Sequence, residues 1–259
     1  MLSPLVLLGF ATIKTLGGWV LLAAERGQPA KFGAPELATY AREAVASALM
    51  YSLAPFGRQE ADFRPRPVTN PPILLVPGYT RNRSSMWFLK TFLEQRGFTN
   101  VHAMNHISAD GSLAAHAEKL SQQVETLLKI TGAEKVDIVA HSLGGLVVGW
   151  YLKHREESHR VRRFIAMGVP WKGTRTAVFA RGATGQSMLY GTPMLDGLTP
   201  PPVPTVAIWS PDDPLVVPSL SASPPGLESV CIEGAGHVEM LTSARVFRAV
   251  QAALSTGDL

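Results

Sequence analysis

The chain has 259 residues, of which 46% are hydrophobic and 17% charged, and its formal net charge is +4. This length and apolar content are enough for one α/β domain with a buried core. The basic residues are scattered, so no nucleic-acid partner is predicted. Cys231 is the only cysteine, which excludes an intrachain disulfide, and its apolar surroundings predict a packed core thiol.

The N-terminal segment is strongly apolar, with Lys14 as the only charge in residues 2–24. At about 1.5 Å per residue a helix of this length crosses a hydrocarbon core of roughly 30 Å. We therefore predict a transmembrane anchor over residues 1–25, with the side of the membrane open. A cleavable signal peptide is the first alternative, although no basic residue precedes Lys14. A buried or surface-lying helix is the second, since Lys14 and the Gly17-Gly18 pair allow one.

Residues 26–70 read as a linker that contains an amphipathic helix. The helix is predicted over residues 35–53, because apolar and small residues recur there at helical spacing: Leu37, Tyr40, Ala41, Ala44, Val45, Ala48, Leu49 and Ser52. Residues 55–72 are rich in proline and charge, so we place the domain boundary in them. Residues 71–259 then form the catalytic domain.

From residue 73 onward, short apolar runs alternate with helical patterns. Strands are predicted over residues 73–76, 101–104, 136–140, 163–167, 205–209 and 229–232, and helices over 85–95, 113–129, 143–154 and 238–254. Ser112 and Gly132 are the expected caps of the 113–129 helix, and residues 187–198 are a candidate short helix. Continuous apolar strands that alternate with helices predict a mainly parallel sheet with helices on both faces.

One strand runs directly into a serine and then into a helix, in the order Val136-Asp-Ile-Val-Ala-His-Ser142-Leu-Gly-Gly. A serine at the apex of a strand-turn-helix unit is typical of a nucleophile elbow. The tight turn needs small residues two positions to either side, which are Ala140 and Gly144. We interpret Ser142 as a nucleophile rather than an ordinary turn serine because its partners follow in the expected order.

A serine hydroxyl needs an adjacent base, and the base needs an acid that orients it. His237 follows a strand within the glycine-rich turn Glu-Gly-Ala-Gly-His, which makes it the predicted base. The acid is expected in the loop after the strand at 205–209, where Asp212 and Asp213 compete. Asp213 is favoured because an apolar run follows it, and Asp212 is then a solvated or turn-capping carboxylate.

The negative oxygen of a tetrahedral intermediate requires two backbone N–H donors. The predicted donors are Leu143, directly after the nucleophile, and Tyr79, in the loop after the first strand. The side chain of Tyr79 is expected to line the acyl pocket. No metal motif and no nucleotide-binding glycine loop is present in the sequence, so no metal or cofactor is predicted.

Five landmarks in order resemble the bacterial triacylglycerol lipases and esterases of the α/β-hydrolase superfamily. They are Leu75-Val-Pro-Gly-Tyr79, Ala140-His-Ser-Leu-Gly-Gly145, Gly168-Val-Pro-Trp-Lys-Gly-Thr174, Trp209-Ser-Pro-Asp-Asp213 and Gly234-Ala-Gly-His237. The resemblance implies an α/β-hydrolase fold and hydrolysis of lipid or other acyl esters through an acyl-serine, without a cofactor. The apolar N-terminus resembles membrane-anchored members, which implies association with a bacterial inner membrane.

The sequence departs from the family pattern at Pro77, where histidine is frequent, and at Ala140, where glycine is usual. The short segment between the strands at 163–167 and 205–209 leaves room for a small cover but not for a large lid domain. Candidate substrate-binding residues are Tyr79, His141, Trp171, Met188 and Leu189. For Met188 and Leu189, ordinary packing of a short helix is an equal alternative.

Two other functions stay open. An acyltransferase or thioesterase uses the same three side chains with another acceptor or leaving group. A catalytically silent, membrane-tethered binding module is the third reading, against which the complete set of Ser142, Asp213 and His237 argues. The oligomeric state and the natural substrate are not predicted.

Overall fold

A computed structural model of the chain describes residues 4–27, 33–58, 66, 70–105, 108 and 110–256. Within these ranges six strands form one parallel sheet in the order β2-β1-β3-β4-β5-β6. The strands are β1 Ile73–Val76, β2 Val101–Ala103, β3 Val136–His141, β4 Val161–Met167, β5 Thr205–Trp209 and β6 Glu228–Cys231. The helices are α1 Pro4–Glu25, α2 Ala34–Leu53, α3 Trp87–Glu94, α4 Leu113–Thr131, α5 Leu143–His154, α6 Gly182–Gln186 and α7 Ala244–Ser255.

Helices cover both faces of the sheet, as predicted. Alternate residues of the central strands, such as Leu74 and Ile138, pack with α4 and α5 on one face. The residues between them, such as Leu75 and Val139, pack with α2, α3 and α7 on the other. Burial of both faces explains why these strands are continuous apolar runs. The predicted α/β fold is therefore confirmed.

Local signals predicted some helix ends and missed others. Ser112 caps α4 by accepting the N–H of Ala115 at 3.1 Å, and Gly132 ends the helix with a φ of 72°. The predicted short helix over residues 187–198 is wrong: α6 lies before it, and only a single 3-10 turn, Pro193–Leu195, falls inside that range.

Cys231 is exposed rather than packed in the core, because β6 is an edge strand.

The segment predicted as a transmembrane anchor lies largely in helix α1. Among the residues described, no helix combines the length and the apolarity needed to cross a membrane. Helix α1 forms, and its Trp19 and Leu22 are buried with Val217 of the β5–β6 connection. Gly18 lets the helix approach closely, since an added Cβ would overlap the carbonyl oxygen of Pro214. Part of the apolar surface that suggested a membrane span therefore covers protein.

Helix α2 also packs on the body, but its buried face is not the set of recurring apolar residues. Leu37 and Val45, two of the residues that recur at helical spacing, are 51% and 68% exposed. Its buried residues are instead Thr39, Glu43, Ala46, Ser47 and Met50. Ala46 and Met50 join the apolar cluster with α3 and α7. The polar members of the stripe lie toward the loops at the carboxyl ends of the strands, where the candidate site is found.

Candidate active site

Ser142 lies in the sharp turn between β3 and α5. Its φ of 54° and ψ of −128° are unusual for a residue with a side chain, and such a conformation costs about 1–3 kcal/mol. Gly144 permits the turn, because an added Cβ there would overlap the carbonyl oxygen of Pro77 and lie 2.8 Å from that of Val76. The turn thus depends on close contact between the start of α5 and the end of β1.

The structure brings the three predicted side chains together. Nε2 of His237 lies 2.9 Å from Oγ of Ser142, and Nδ1 of His237 lies 2.6 Å from Oδ2 of Asp213. With the proton on Nδ1, His237 donates to the carboxylate and accepts from the serine hydroxyl. This is the arrangement in which an imidazole can take the serine proton while an acid holds its tautomer.

Buried charge sets the protonation of His237. Burial favours the neutral ring, but the charge of Asp213, the hydrogen bond to it and the charge of Glu43 outweigh burial and raise the pKa of His237 above 6.5. A raised pKa makes the imidazole a stronger base for the serine proton. The neutral ring, which can act as a base, is therefore lost as the pH falls through a value above 6.5.

The two adjacent aspartates have separate partners. Oδ1 of Asp213 accepts the N–H groups of Leu215 and Val216 at 2.7 and 3.0 Å, which leaves Oδ2 for His237. Asp212 instead accepts the N–H of Gly234 at 2.7 Å and pairs with Arg26 of α1 at 3.2 Å. Asp212 therefore ties together loops around the site, and Asp213 faces its imidazole.

His141, the residue before the serine, contacts the histidine loop. Its Nε2 donates to the carbonyl oxygen of His237 at 3.0 Å, and the two rings lie 4.7 Å apart. Burial first, and then the nearby His237, lower the pKa of His141 well below 6.5. His141 is therefore a neutral donor that positions the backbone of His237, and it also lines the cleft.

The predicted oxyanion donors lie next to Ser142. Leu143 is the first residue of α5, where helix N–H groups have no intrahelical acceptor. An added Cβ on Gly78 would lie 3.2 Å from Cβ of Ser142, so the peptide that links Gly78 to Tyr79 runs beside Ser142. The phenol of Tyr79 donates to the carbonyl oxygen of Arg181 at 2.7 Å and accepts the N–H of Arg181 at 2.9 Å.

A cleft opens at Ser142 and His237. Apolar and small side chains from the segments after β4 and β5 form much of its wall: Pro170, Ala177, Ala180, Met188, Leu215 and Val216. Five residues were candidates for substrate binding. Tyr79, His141 and Met188 line the cleft, and Trp171 and Leu189 do not. Trp171 is buried against Phe164, with the ring centroids 5.8 Å apart, and Leu189 packs on the same core cluster. Trp171 therefore fills the interior, and Leu189 is partly buried where it packs on that cluster.

The N-terminal helices supply cleft residues that the sequence interpretation missed. Thr15 of α1 and Ser47 and Tyr51 of α2 line the cleft, and so does Arg81, whose guanidinium carbon lies 4.5 Å from the centre of the Tyr51 ring. The one available signal was the recurrence of Thr39, Glu43 and Ser47 every four residues. A polar stripe of this kind normally marks the solvent face of a helix.

Sequence comparison finds a family match and two curated relatives, each over less than half of the chain. The family described as "alpha/beta hydrolase fold" matches residues 71–183. A triacylglycerol lipase of Vibrio cholerae is 36% identical over 76 residues, which are 29% of this chain and 24% of that protein. A phospholipase A(1) of Arabidopsis thaliana is 35% identical over 81 residues, 30% of this chain and 17% of that protein. The matched segments thus span about a fifth of the curated relatives.

Solved structures match over more of the fold. The mature form of a Bacillus licheniformis lipase superposes with a TM-score of 0.64 at 16% identity, covering 75% of this chain and 96% of that one. Lipase B of Aspergillus fumigatus gives a TM-score of 0.61 at 19% identity, covering 72% and 52%. Residues 71–183 therefore match the α/β-hydrolase family, and the fold of the chain is similar to that of these solved lipases.

Proposed function

We propose that the protein is a serine hydrolase that cleaves carboxylic esters through an acyl-serine intermediate. The observation that carries the proposal is the continuous hydrogen-bonded series from Ser142 Oγ through His237 to Asp213, with distances of 2.9 and 2.6 Å. The series ends in a cleft with an apolar wall, which suits the acyl chain of a lipid or a medium-chain ester.

The proposed reaction has two halves. Oγ of Ser142 attacks the ester carbonyl while its proton passes to Nε2 of His237, and the N–H groups of Tyr79 and Leu143 stabilise the oxyanion. The tetrahedral intermediate collapses, the C–O bond to the alcohol breaks, and the alcohol leaves with the proton from His237. Water then attacks the acyl-serine, gives its proton to His237, and the acid leaves as Ser142 regains its proton.

Hydrolysis of a series of nitrophenyl esters by the wild type and by Ser142→Ala tests the proposal. We expect wild-type turnover with a preference among chain lengths, and a loss on the order of 10⁴-fold or more in the variant. Equal rates for the two proteins would exclude Ser142 as the nucleophile. Product analysis with a competing alcohol or with a thioester identifies transfer or thioester cleavage if either reaction is faster than ester hydrolysis.

A further inference from the structure

Helix α2 carries a buried carboxylate into the loop of the candidate catalytic histidine. Glu43 is 1% exposed. Its Oε1 accepts the N–H of Val238 and its Oε2 accepts the N–H of Glu239, each at 2.9 Å. These are the two residues that follow His237, so Glu43 binds the backbone directly after the histidine.

The same helix holds the loop at further points. Arg42 donates to Oε1 of Glu239 at 2.7 Å and to the carbonyl oxygen of Gly234 at 2.6 Å. Glu239 in turn accepts the N–H of Gly236 at 2.9 Å through its other oxygen. The glycine before His237 leaves room for this arrangement, because a Cβ on Gly236 would lie 2.5 Å from Oε2 of Glu43. Residues 234–239 are therefore fixed mainly from α2 on this side.

A charged group is an uncommon choice for this contact. A buried carboxylate costs free energy unless hydrogen bonds and nearby positive charge compensate for it. Both oxygens of Glu43 have backbone donors, and its charge interacts with that of His237, which becomes positive when it takes the serine proton. The charge of Glu43 thus has a specific partner during the proposed reaction, as well as a structural contact.

We propose that Glu43 is a positioning residue for His237. Its carboxylate holds the loop so that Nε2 reaches Ser142, and its negative charge stabilises the imidazolium together with Asp213. The inference rests on the proposed ester hydrolysis for its kinetic consequence. The effect of Glu43 on the position and on the titration of His237 is expected whether or not the protein hydrolyses esters.

The ionisation of Glu43 falls within the working range of such a site. Burial raises the pKa of Glu43 to about 7, against the opposing effects of His237 and of the two N–H donors. The charged and titratable groups that face it are His237 and Glu239 of the loop, Asp213, Arg81, and Arg42 of α2 itself. As the pH falls below about 7 the carboxyl gains a proton. It then loses its charge and accepts the N–H groups of Val238 and Glu239 less strongly. We therefore expect the acid side of the kcat/KM profile to be steeper than one ionisation.

Three variants separate the charge from the contact. Glu43→Gln keeps the size and removes the charge, Glu43→Asp keeps the charge and shortens the reach, and Glu36→Gln is the matched control on the first turn of the same helix. With a nitrophenyl ester, we expect Glu43→Gln to lower kcat about 10-fold to 100-fold with little change in KM. Its acid limb should become a single ionisation and move about one pH unit lower, since His237 loses a negative neighbour. Glu43→Asp should lower kcat without that shift, and Glu36→Gln should match the wild type.

Proton NMR of the His237 Nδ1–H provides a readout that needs no turnover. In Glu43→Gln the titration of this proton should move to lower pH, and in the wild type it should shift in two steps between pH 5 and 9. If the wild type hydrolyses no ester, the proposed function fails while this titration still tests the role of Glu43. An unchanged His237 titration in a folded Glu43→Gln overturns the inference. If that variant does not fold, a single-step titration in the wild type overturns it.

Discussion

The turn that carries Ser142 and the loop that carries His237 are held by different kinds of contact. The turn is fixed by steric constraints among neighbouring backbones, since Gly144 packs on the end of β1. The loop is fixed by hydrogen bonds from side chains 195 and 96 residues away in sequence, Glu43 to Val238 and His141 to His237. The position of Ser142 therefore depends on the sheet, whereas that of His237 depends also on an N-terminal helix outside the sheet.

The largest expected effect comes from removing the negative charge of Asp213, which bonds His237. Asp213→Asn keeps the shape but removes the charge that holds the imidazole tautomer, so we expect kcat to fall on the order of 10⁴-fold. Asp212→Asn is the matched control and should cost less than about 10-fold, because Asp212 accepts from Gly234 and pairs with Arg26. Steady-state kinetics on one ester measure both. Equal losses would contradict the assignment of Asp213.

The second expected effect is on stability and concerns the attachment of the loop to α2. The pKa of Glu43 is raised from 4.5 to about 7 in the folded protein, so the folded state binds the proton more tightly than the unfolded state. Stability therefore falls as the pH rises from about 4.5 to about 7. At about 1.4 kcal/mol per pKa unit, the effect is about 3 kcal/mol.

Urea unfolding of the wild type and of Glu43→Gln at pH 5 and pH 8 measures the pH-dependent contribution of Glu43 to stability. The free energy of unfolding of the variant relative to the wild type should increase by about 3 kcal/mol from pH 5 to pH 8. Glu36→Gln should show no such change. A pH-independent difference for Glu43→Gln would mean that Glu43 is not buried as described.

The third expected effect is on the turn. Gly144→Ala places a methyl group against the carbonyl oxygen of Pro77, and we expect a loss of about 1–3 kcal/mol in stability together with reduced kcat. Gly9→Ala in α1 is the matched control, because a Cβ there meets nothing within 4 Å. It should be neutral or slightly stabilising, since alanine favours helices. Thermal unfolding of both variants tests this, and equal behaviour would show that the turn tolerates a side chain.

The smallest expected effect concerns the side chain of Tyr79. Tyr79→Phe removes the phenol that bonds Arg181 but keeps the backbone N–H beside Ser142. We expect about 1 kcal/mol of lost stability and a change in kcat/KM below about 10-fold, because the predicted donor to the oxyanion is the backbone. A loss near 10³-fold, the scale typical of a missing oxyanion donor, would place the phenol at the reacting atoms.

The same contrast explains how far the sequence predicts the site. The turn at Ser142 is a local pattern, and apolar runs with nearby glycines locate the strands, so the turn and the strand order can be predicted from the sequence. The choice of Asp213 also follows from the apolar run after it, which reappears as the Leu215 and Val216 N–H donors. These features depend on residues within a few positions of each other.

The face of α2 was not readable in this way. Its periodicity favours a face with Leu37 and Val45, yet the buried stripe carries Thr39, Glu43 and Ser47. Polar side chains are buried there because their partners are backbone groups of a loop nearly 200 residues later. Helical periodicity records apolar packing and carries no information about such partners. Trp171 and Leu189 are likewise candidate substrate-binding residues in the sequence, whereas in the structure Trp171 is buried in the core and Leu189 packs, partly buried, on the same cluster.

Labelling with a fluorophosphonate, followed by peptide mapping, shows directly whether Ser142 is an activated serine. The wild type should carry one phosphonate on Ser142, because His237 lies 2.9 Å from its Oγ and activates it. His237→Ala should remain folded and lose the label. Label on a different serine, or equal labelling of Ser142 in His237→Ala, would contradict the account.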